Sequence, residues 1–590
     1  MENISNLASS QDDGAGEKLV VDDKNGHNSK SNIEVRYMTP TSQNGDAKID
    51  IENLKNSFAG MGKEELMKFA NDPFWVRIRW ILFFLFWFLW VAMLAGAIAI
   101  IVLAPKCAAP LPREWWEQSP VYNIEVSKIS KEDENSGLAG VISKLDYLKD
   151  LAIKSVLLPP IVDIGTEGLN SVSSDYGNLD DLKKLILEAR EYGINFVLTF
   201  EPNFSSTNNT IFNKSASKIE PYSSFYIWSP PKGYDDSNKP LPPNNWLSIN
   251  GGSAWEWHDG RKEFYLHQFS KEQPDFNFRN AAVSNLITES LKFWLDLGLS
   301  GFYLKNVKYL LEDASLRDAV HGNKPGYFHN QYEFYDHSYT SNLPELTPIL
   351  QDWTNIVANK SGVLFLDGVS GTHNKSLGNL SFKSQILKSD FNADDLNKAI
   401  SSRLSSSSWP AWQLQSEDRS QNTALQLLSL LLPGTTFLRS GEELGLFENQ
   451  TIPWSNLTES DIEDVNSQRK NPDSLLNCYK VLIETRKSHS ILYGTLETHV
   501  FNTSDSSSVF AITRIKSGNP GYLVVYNTGK NNETISLKDL SSIPDEVSVI
   551  ARTEKLHNSL ILKSKIDSSG FTVPSSSLAV FSFVPESKES

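Results

Sequence analysis

From Ile81 to Ala104 the chain runs for 24 residues without one charged side chain. As an α-helix such a stretch rises about 36 Å, enough to cross the hydrocarbon core of a bilayer with some tilt. It starts too far along the chain, and is too long, to be a signal peptide. A buried core helix is the competing reading, but few core helices stay uncharged for so long. A single span splits the chain into two segments, one on each side of a membrane. It also leaves Cys107 just past its end, where a thiol has no core to enter.

Charge gives the orientation. Lys63, Lys68, Arg77 and Arg79 precede the span, against Lys106 and Arg113 in a similar length after it. The positive-inside bias puts the N-terminus in the cytosol and the residues beyond about 105 outside. Trp80, Trp87, Trp90 and, further out, Trp115 and Trp116 are candidate interfacial anchors. Glycosylation sequons agree, at Asn203, Asn208, Asn213, Asn359, Asn374, Asn379, Asn449, Asn456, Asn502 and Asn532. The one before the span, at Asn3, is set aside as cytosolic, and each sequon alone is a weak signal. The net charge of −16 argues against a nucleic-acid partner, whose phosphates would repel such a surface. With only two cysteines, Cys107 and Cys478, stability must come from a packed core and not from a disulfide framework.

Residues 1 to about 60 are polar, with Tyr37 and Phe58 their only aromatics, and read as a disordered tail. The stretch from Gly62 to Trp80 suggests a short helix, a break at Pro73 and entry into the membrane. Beyond the neck, apolar strands alternate with amphipathic helices. The strands fall at Val121–Val126, Ser155–Leu158, Asn195–Phe200, Gly301–Leu304, Val363–Leu366 and Thr436–Leu438. The helices include Leu179–Tyr192, Ala281–Leu297 and Thr423–Leu432. Such alternation predicts an α/β fold with a parallel sheet, most simply a (β/α)8 TIM barrel. Between about 204 and 280 it lapses into a Pro-, Gly- and Trp-rich stretch, too long for a loop and read as an inserted subdomain. After about 490 short strands at Ser508–Ile515, Tyr522–Tyr526 and Ala579–Phe583 predict a C-terminal antiparallel β-sandwich.

This order of parts resembles the α-amylase family of glycoside hydrolases. PPNNWLSINGGSAWEWHDGRKEFYLHQFSKEQPDFNFRN (242–280) is similar to the inserted domain of its α-glucosidase branch, and LLLPGTTFLRSGEELGL (430–446) to its last barrel strand and loop. The segment 62–107, with REWWEQSPVYNI (113–124) and LAGVISKLDYLKDLAIKSVLLPPI (138–161), resembles the heavy chains of heteromeric amino-acid transporters, of the 4F2 cell-surface antigen type. One departure concerns the insert, which is like that of the renal dibasic-amino-acid branch and is absent from vertebrate 4F2 chains.

The glycosidase resemblance also says where the catalytic groups belong. A retaining enzyme needs a carboxylate nucleophile and an acid about 5 Å apart. The family's Gly-Phe-x-x-Asp segment reads Gly301-Phe302-Tyr303-Leu304-Lys305 here, so Lys305 holds the nucleophile position and Tyr303 that of an arginine. An ammonium cannot form the glycosyl ester, and its charge opposes the cation developing on the sugar. In the third-strand motif, Asp and His give way to Thr199 and Phe204 around Asn203. In the Asn-His-Asp motif the chain has Ser416, Glu417 and Asp418, and only the last persists. Asp367 lies on the strand of the acid but receives no role, and Asp275 and Asn277 are taken as supports of the insert. No catalytic residue is assigned. His258, His267, His329 and His337 read as structural or surface residues. No cofactor or metal ligand set is assigned either; some family members carry a structural calcium, but nothing in the sequence picks out a site for it.

Cys478 lies on an amphipathic helix and reads as a small buried hydrophobe. An odd thiol in an oxidising compartment suggests an intermolecular partner, so from residues alone Cys107 is either interchain-bonded or a free or acylated juxtamembrane cysteine. The resemblance implies the first: an interchain disulfide to a multi-pass transporter light chain, as in the heavy chains. The expected layout is a cytosolic region (1–79), a membrane helix (80–104), a neck (105–119), an inactive α-amylase-like barrel (120–486) with its insert (204–280), and the sandwich (487–590). The expected function is a heavy, ancillary subunit at the plasma membrane, partnered by the light chain and the lipid bilayer, without nucleic acid. The alternatives are a membrane-anchored α-glucosidase and an adhesion or signalling scaffold.

Overall fold

The computed structural model describes residues 63–103, 110–129, 137–369, 377–406, 409–446, 450–454, 463–503, 506–540 and 542–586. Cys107 lies outside them. The chain forms two compact units that divide at Ala108. In the first, a short helix (Lys63–Ala70) precedes a long one (Pro73–Leu103) with no buried side chain. Pro73 starts this helix and does not merely interrupt one. Its missing N–H falls where no intrahelical bond is needed, and Asp72 Oδ1 accepts from Phe74 N at 3.0 Å. Arg77 and Arg79 therefore ride on the first turns of the apolar helix.

The second unit is built on a nearly closed barrel of parallel strands. The first five are Val121–Asn123, Ser155–Leu158, Asn195–Phe200, Gly301–Leu304 and Val363–Asp367, and the eighth is Thr435–Arg439. The sixth and seventh are split. Leu380–Phe382 pairs with the fifth strand and Ala411–Trp412 with the eighth, while their second segments, Gln385–Leu387 and Leu414–Ser416, pair only with each other. The seventh strand thus leaves the eighth at Gln413 and opens a seam at the C-terminal mouth. The first strand ends at Asn123, three residues short of the expected Val126, where the chain turns into a short helix (Val126–Ile129).

Strand side chains alternate with the pleat. Val121, Leu157, Val197, Tyr303, Phe365, Leu380, Ala411 and Phe437 fill the interior. Tyr122, Val156, Leu198, Phe302, Leu364 and Leu438 face the helices. Trp116 joins the interior set: it is 5% exposed, edge-on to Phe365 at 5.7 Å, and its carbonyl accepts from Thr435 Oγ1. The expectation that Trp116 anchors at the membrane interface is corrected. Its indole stoppers the N-terminal end of the barrel, a larger burial than an interface offers. Arg113 is held beside it, over the rings of Trp409 and Tyr493 at 4.1 and 5.4 Å.

Part of the stretch 204–280 has a small core of its own, while Phe212, Tyr226, Tyr265 and Phe276 pack into the main core. A three-stranded antiparallel sheet (Trp228–Ser229, Glu263–Leu266, Trp255–His258) packs Ile227, Trp246, Trp255, Phe264 and Leu266. The C-terminal region is a six-stranded antiparallel sheet with a second layer of only two short strands, Glu533–Ile535 and Phe571–Val573. Val509, Ala511, Leu523 and Val525 face that layer, whereas Phe510, Ile512, Val524 and Tyr526 join the barrel core. Buried Arg486 ties the parts together. It donates to the carbonyls of Leu430, Leu432 and Gly434 after the seventh barrel helix and to Glu117 in the neck.

Candidate functional site at the barrel mouth

Parallel register fixes what meets at the C-terminal mouth. Thr199 lies opposite Tyr303, Phe200 opposite Leu304, and Lys305 N donates to Phe200 O at 3.0 Å. The first residues beyond the third and fourth strands, Glu201 and Lys305, are therefore neighbours. Their side chains form an ion pair at 2.9 Å, and Asn306 Nδ2 donates to the other Glu201 oxygen at 3.3 Å. At the other end of the fourth strand, Gly301 permits its close approach to the fifth. Its φ is +150°, and a Cβ there would collide with the Val363 carbonyl.

The fifth strand brings Asp367 to the same rim, one step past the Leu366–Leu304 pair. The Asp367 carboxylate is stabilised by the Asn306 backbone and by the Tyr303 side chain. Burial raises its pKa, and Lys308 and Lys305 oppose that rise. The Tyr303 phenol is pushed far up, first by burial and then by the charge of Asp367. Glu201, which no motif singled out, is thus paired with Lys305.

The other positions that the glycosidase resemblance singled out are spread over the third and seventh strands and the residues just beyond them. Thr199 is buried inside the barrel, and Phe204 packs on Phe269 of the insert at 5.3 Å. Ser416 ends the seventh strand, its N–H donating to Asn422 Oδ1. Glu417 is exposed and accepts from Ser389 N. Asp418 accepts from Ser420, which holds its carboxyl below the usual range. Cys478 is half-buried, and desolvation pushes its thiol up to about 12, which leaves it inert.

Asn203 is 2% exposed, so that sequon offers a glycan no exit. Asn208, Asn213, Asn359, Asn379 and Asn532 are at least partly exposed. Asn374, Asn449 and Asn456 lie outside the described residues, as does the side chain of Asn502.

A buried oxygen cluster beneath the insert has no counterpart among the expected sites. Asn203 and Asp275 sit on bridged segments, with Phe276 N donating to Asn203 O. Asn203 Oδ1 and Asp275 Oδ1 are buried and have no hydrogen-bond partner among the described residues. Burial raises the Asp275 carboxyl, helped by the charge of Glu312; desolvation lifts Glu312 itself to about 7. Arg279 faces Glu312 at 3.9 Å, and among the described residues no group of three or more His, Cys, Asp or Glu is placed to hold a metal ion.

Comparison with known proteins places these features. The family described as Alpha amylase, catalytic domain, matches residues 127–403, and that described as Solute carrier family 3 member 2 N-terminus matches residues 46–122. The chain is 28% identical to the human amino acid transporter heavy chain SLC3A1 over 595 residues, covering 87% of this chain and 84% of that one. It is also 28% identical to a Culex pipiens α-glucosidase, covering 75% and 86%. It is 29% identical to maltase 1 of Drosophila virilis, covering 74% and 82%. Among solved structures, an α-glucosyl transfer enzyme, XgtA, superposes with a TM-score of 0.65 at 21% identity, over 80% of this chain and all of that one. A trehalose-6-phosphate hydrolase of Bacillus licheniformis does so with 0.63 at 21% identity, with the same coverage of each chain. These structural likenesses establish the α-amylase-like fold.

Proposed function

We propose, for a chain that joins a solute-carrier-3-type N-terminal segment to an α-amylase-type domain and is related to both SLC3 heavy chains and α-glucosidases, the role of a heavy subunit in an amino-acid transporter. The span 80–104 anchors it in the plasma membrane with the N-terminus in the cytosol. Cys107, in the neck, bonds a multi-pass light chain. The heavy chain brings that partner to the surface, and amino acids cross through the partner, because one apolar helix without ionisable groups offers no pathway. The observation that carries this reading is the Lys305–Glu201 ion pair, at the position that the α-amylase resemblance gives to the nucleophile. The SLC3A2-type match at 46–122 covers the segment that contains the span and Cys107.

Partner choice draws on two branches. The N-terminal segment is of the SLC3A2 kind, whereas full-length similarity runs to SLC3A1 chains. The α-glucosidase reading stays as the rival because relatives of that activity are equally similar. Co-expression with candidate light chains, followed by surface biotinylation, separates the two. The heavy-chain reading expects one light chain whose surface fraction rises several-fold only in the presence of this protein. No change for any light chain tested would count against it.

A further inference from the structure

The seam between the seventh and eighth barrel strands is a cavity of about 380 Å³. It lies apart from the ends of the fourth and fifth strands, and neither Lys305 nor Asp367 lines it. One wall comes from the short helix after the first strand, which carries Lys128, and from the end of the eighth strand, which carries Arg439. The opposite wall is the splayed end of the seventh strand, with Glu417 at the rim. The floor is made by Gln426 and Tyr479, which are 2% and 0% exposed. Gln426 Oε1 and the Tyr479 hydroxyl find no hydrogen-bond partner among the described residues. Two buried polar atoms that border an open space are aimed at something with matching polar groups.

We propose that this cavity binds a small zwitterion of the α-amino-acid class. Its carboxylate would face Lys128, Arg439 and the Tyr479 hydroxyl, and its ammonium Gln426 Oε1 and Glu417. The chemistry of the walls selects this class over others. A multiply charged anion such as sulfate would be repelled by the Glu417 and Glu442 carboxylates that share the lining. A sugar would want an aromatic face to stack on, and the one aromatic here has its ring buried and offers only a hydroxyl. A zwitterion uses both signs of charge, and the cavity volume lies at the small-metabolite end of the usual range. The assignment comes from the cavity alone and does not depend on the heavy-chain reading.

The test uses the full-length protein in detergent, expressed without any transporter chain. L-α-amino acids are titrated one at a time by calorimetry, with glucose and sodium sulfate as controls. At least one amino acid should bind saturably. Tyr479→Phe and Glu417→Gln should each weaken it about tenfold, the effect of one hydrogen bond to a charged group. Removing a hydroxyl that bonds to nothing should leave the unliganded melting temperature of Tyr479→Phe unchanged, which separates ligand contact from a structural role. The proposal is overturned if no amino acid binds, if both variants bind as the parent does, or if glucose or sulfate binds in place of the amino acids.

Discussion

Maltose incubated with the purified full-length protein should be cleaved no faster than in buffer, and Lys305→Asp should not change that result. Loss of a nucleophile from a catalytic unit that acts as a whole costs on the order of 10⁶ in rate. Restoring one carboxylate does not restore the unit. A carboxylate at that position would face Glu201, whose charge Lys305 now neutralises at 2.9 Å, so the two acids would repel and one would take up a proton. The third strand would still present Thr199 and, beyond it, Phe204, and the seventh strand Ser416 and Glu417, so neither histidine returns. A coupled glucose assay reads both proteins. Turnover of maltose by the parent protein, lost on Asp367→Ala, would revive the α-glucosidase reading.

Much of the fold was legible because its signals are local. Ala281–Leu297 is bounded by Asn280, whose side chain accepts from Ala282 N, and by Gly298 in the left-handed region. Both are ordinary helix stops. Ser155–Leu158, Asn195–Phe200 and Gly301–Leu304 are short apolar runs set off by polar or glycine residues, and each lies where it was expected. The sixth and seventh strands escaped notice because each is split into segments of two or three residues with polar breaks, as in Ala411-Trp412-Gln413-Leu414. Their splaying, which opens the seam, depends on pairing between distant segments that no local pattern encodes.

The ion pair at the barrel mouth was half legible. A family motif pointed to Lys305, but its partner Glu201 needed the register of two parallel strands. The signal was present: each residue is the first beyond its strand, and the third and fourth strands of a barrel are adjacent. The buried oxygens of Asn203 and Asp275 left no such trace, since a sequon and a QPDFN segment give no hint that they lie on bridged segments. Trp116 misleads for a related reason. Beside a membrane span an indole suggests an interfacial anchor, and only the empty end of the barrel explains its burial.

In the proposed role, function lies at the membrane end, through a covalent partner at Cys107. Electrophoresis of the protein from native membranes, with and without reductant, is the decisive experiment. Without reductant the protein should migrate in a complex larger by one transporter chain. Reductant should collapse that complex to the single heavy chain, and Cys107→Ser should remove it while helix packing still holds a noncovalent pair. The same mobility in both lanes, with no membrane protein co-purifying, would contradict the account.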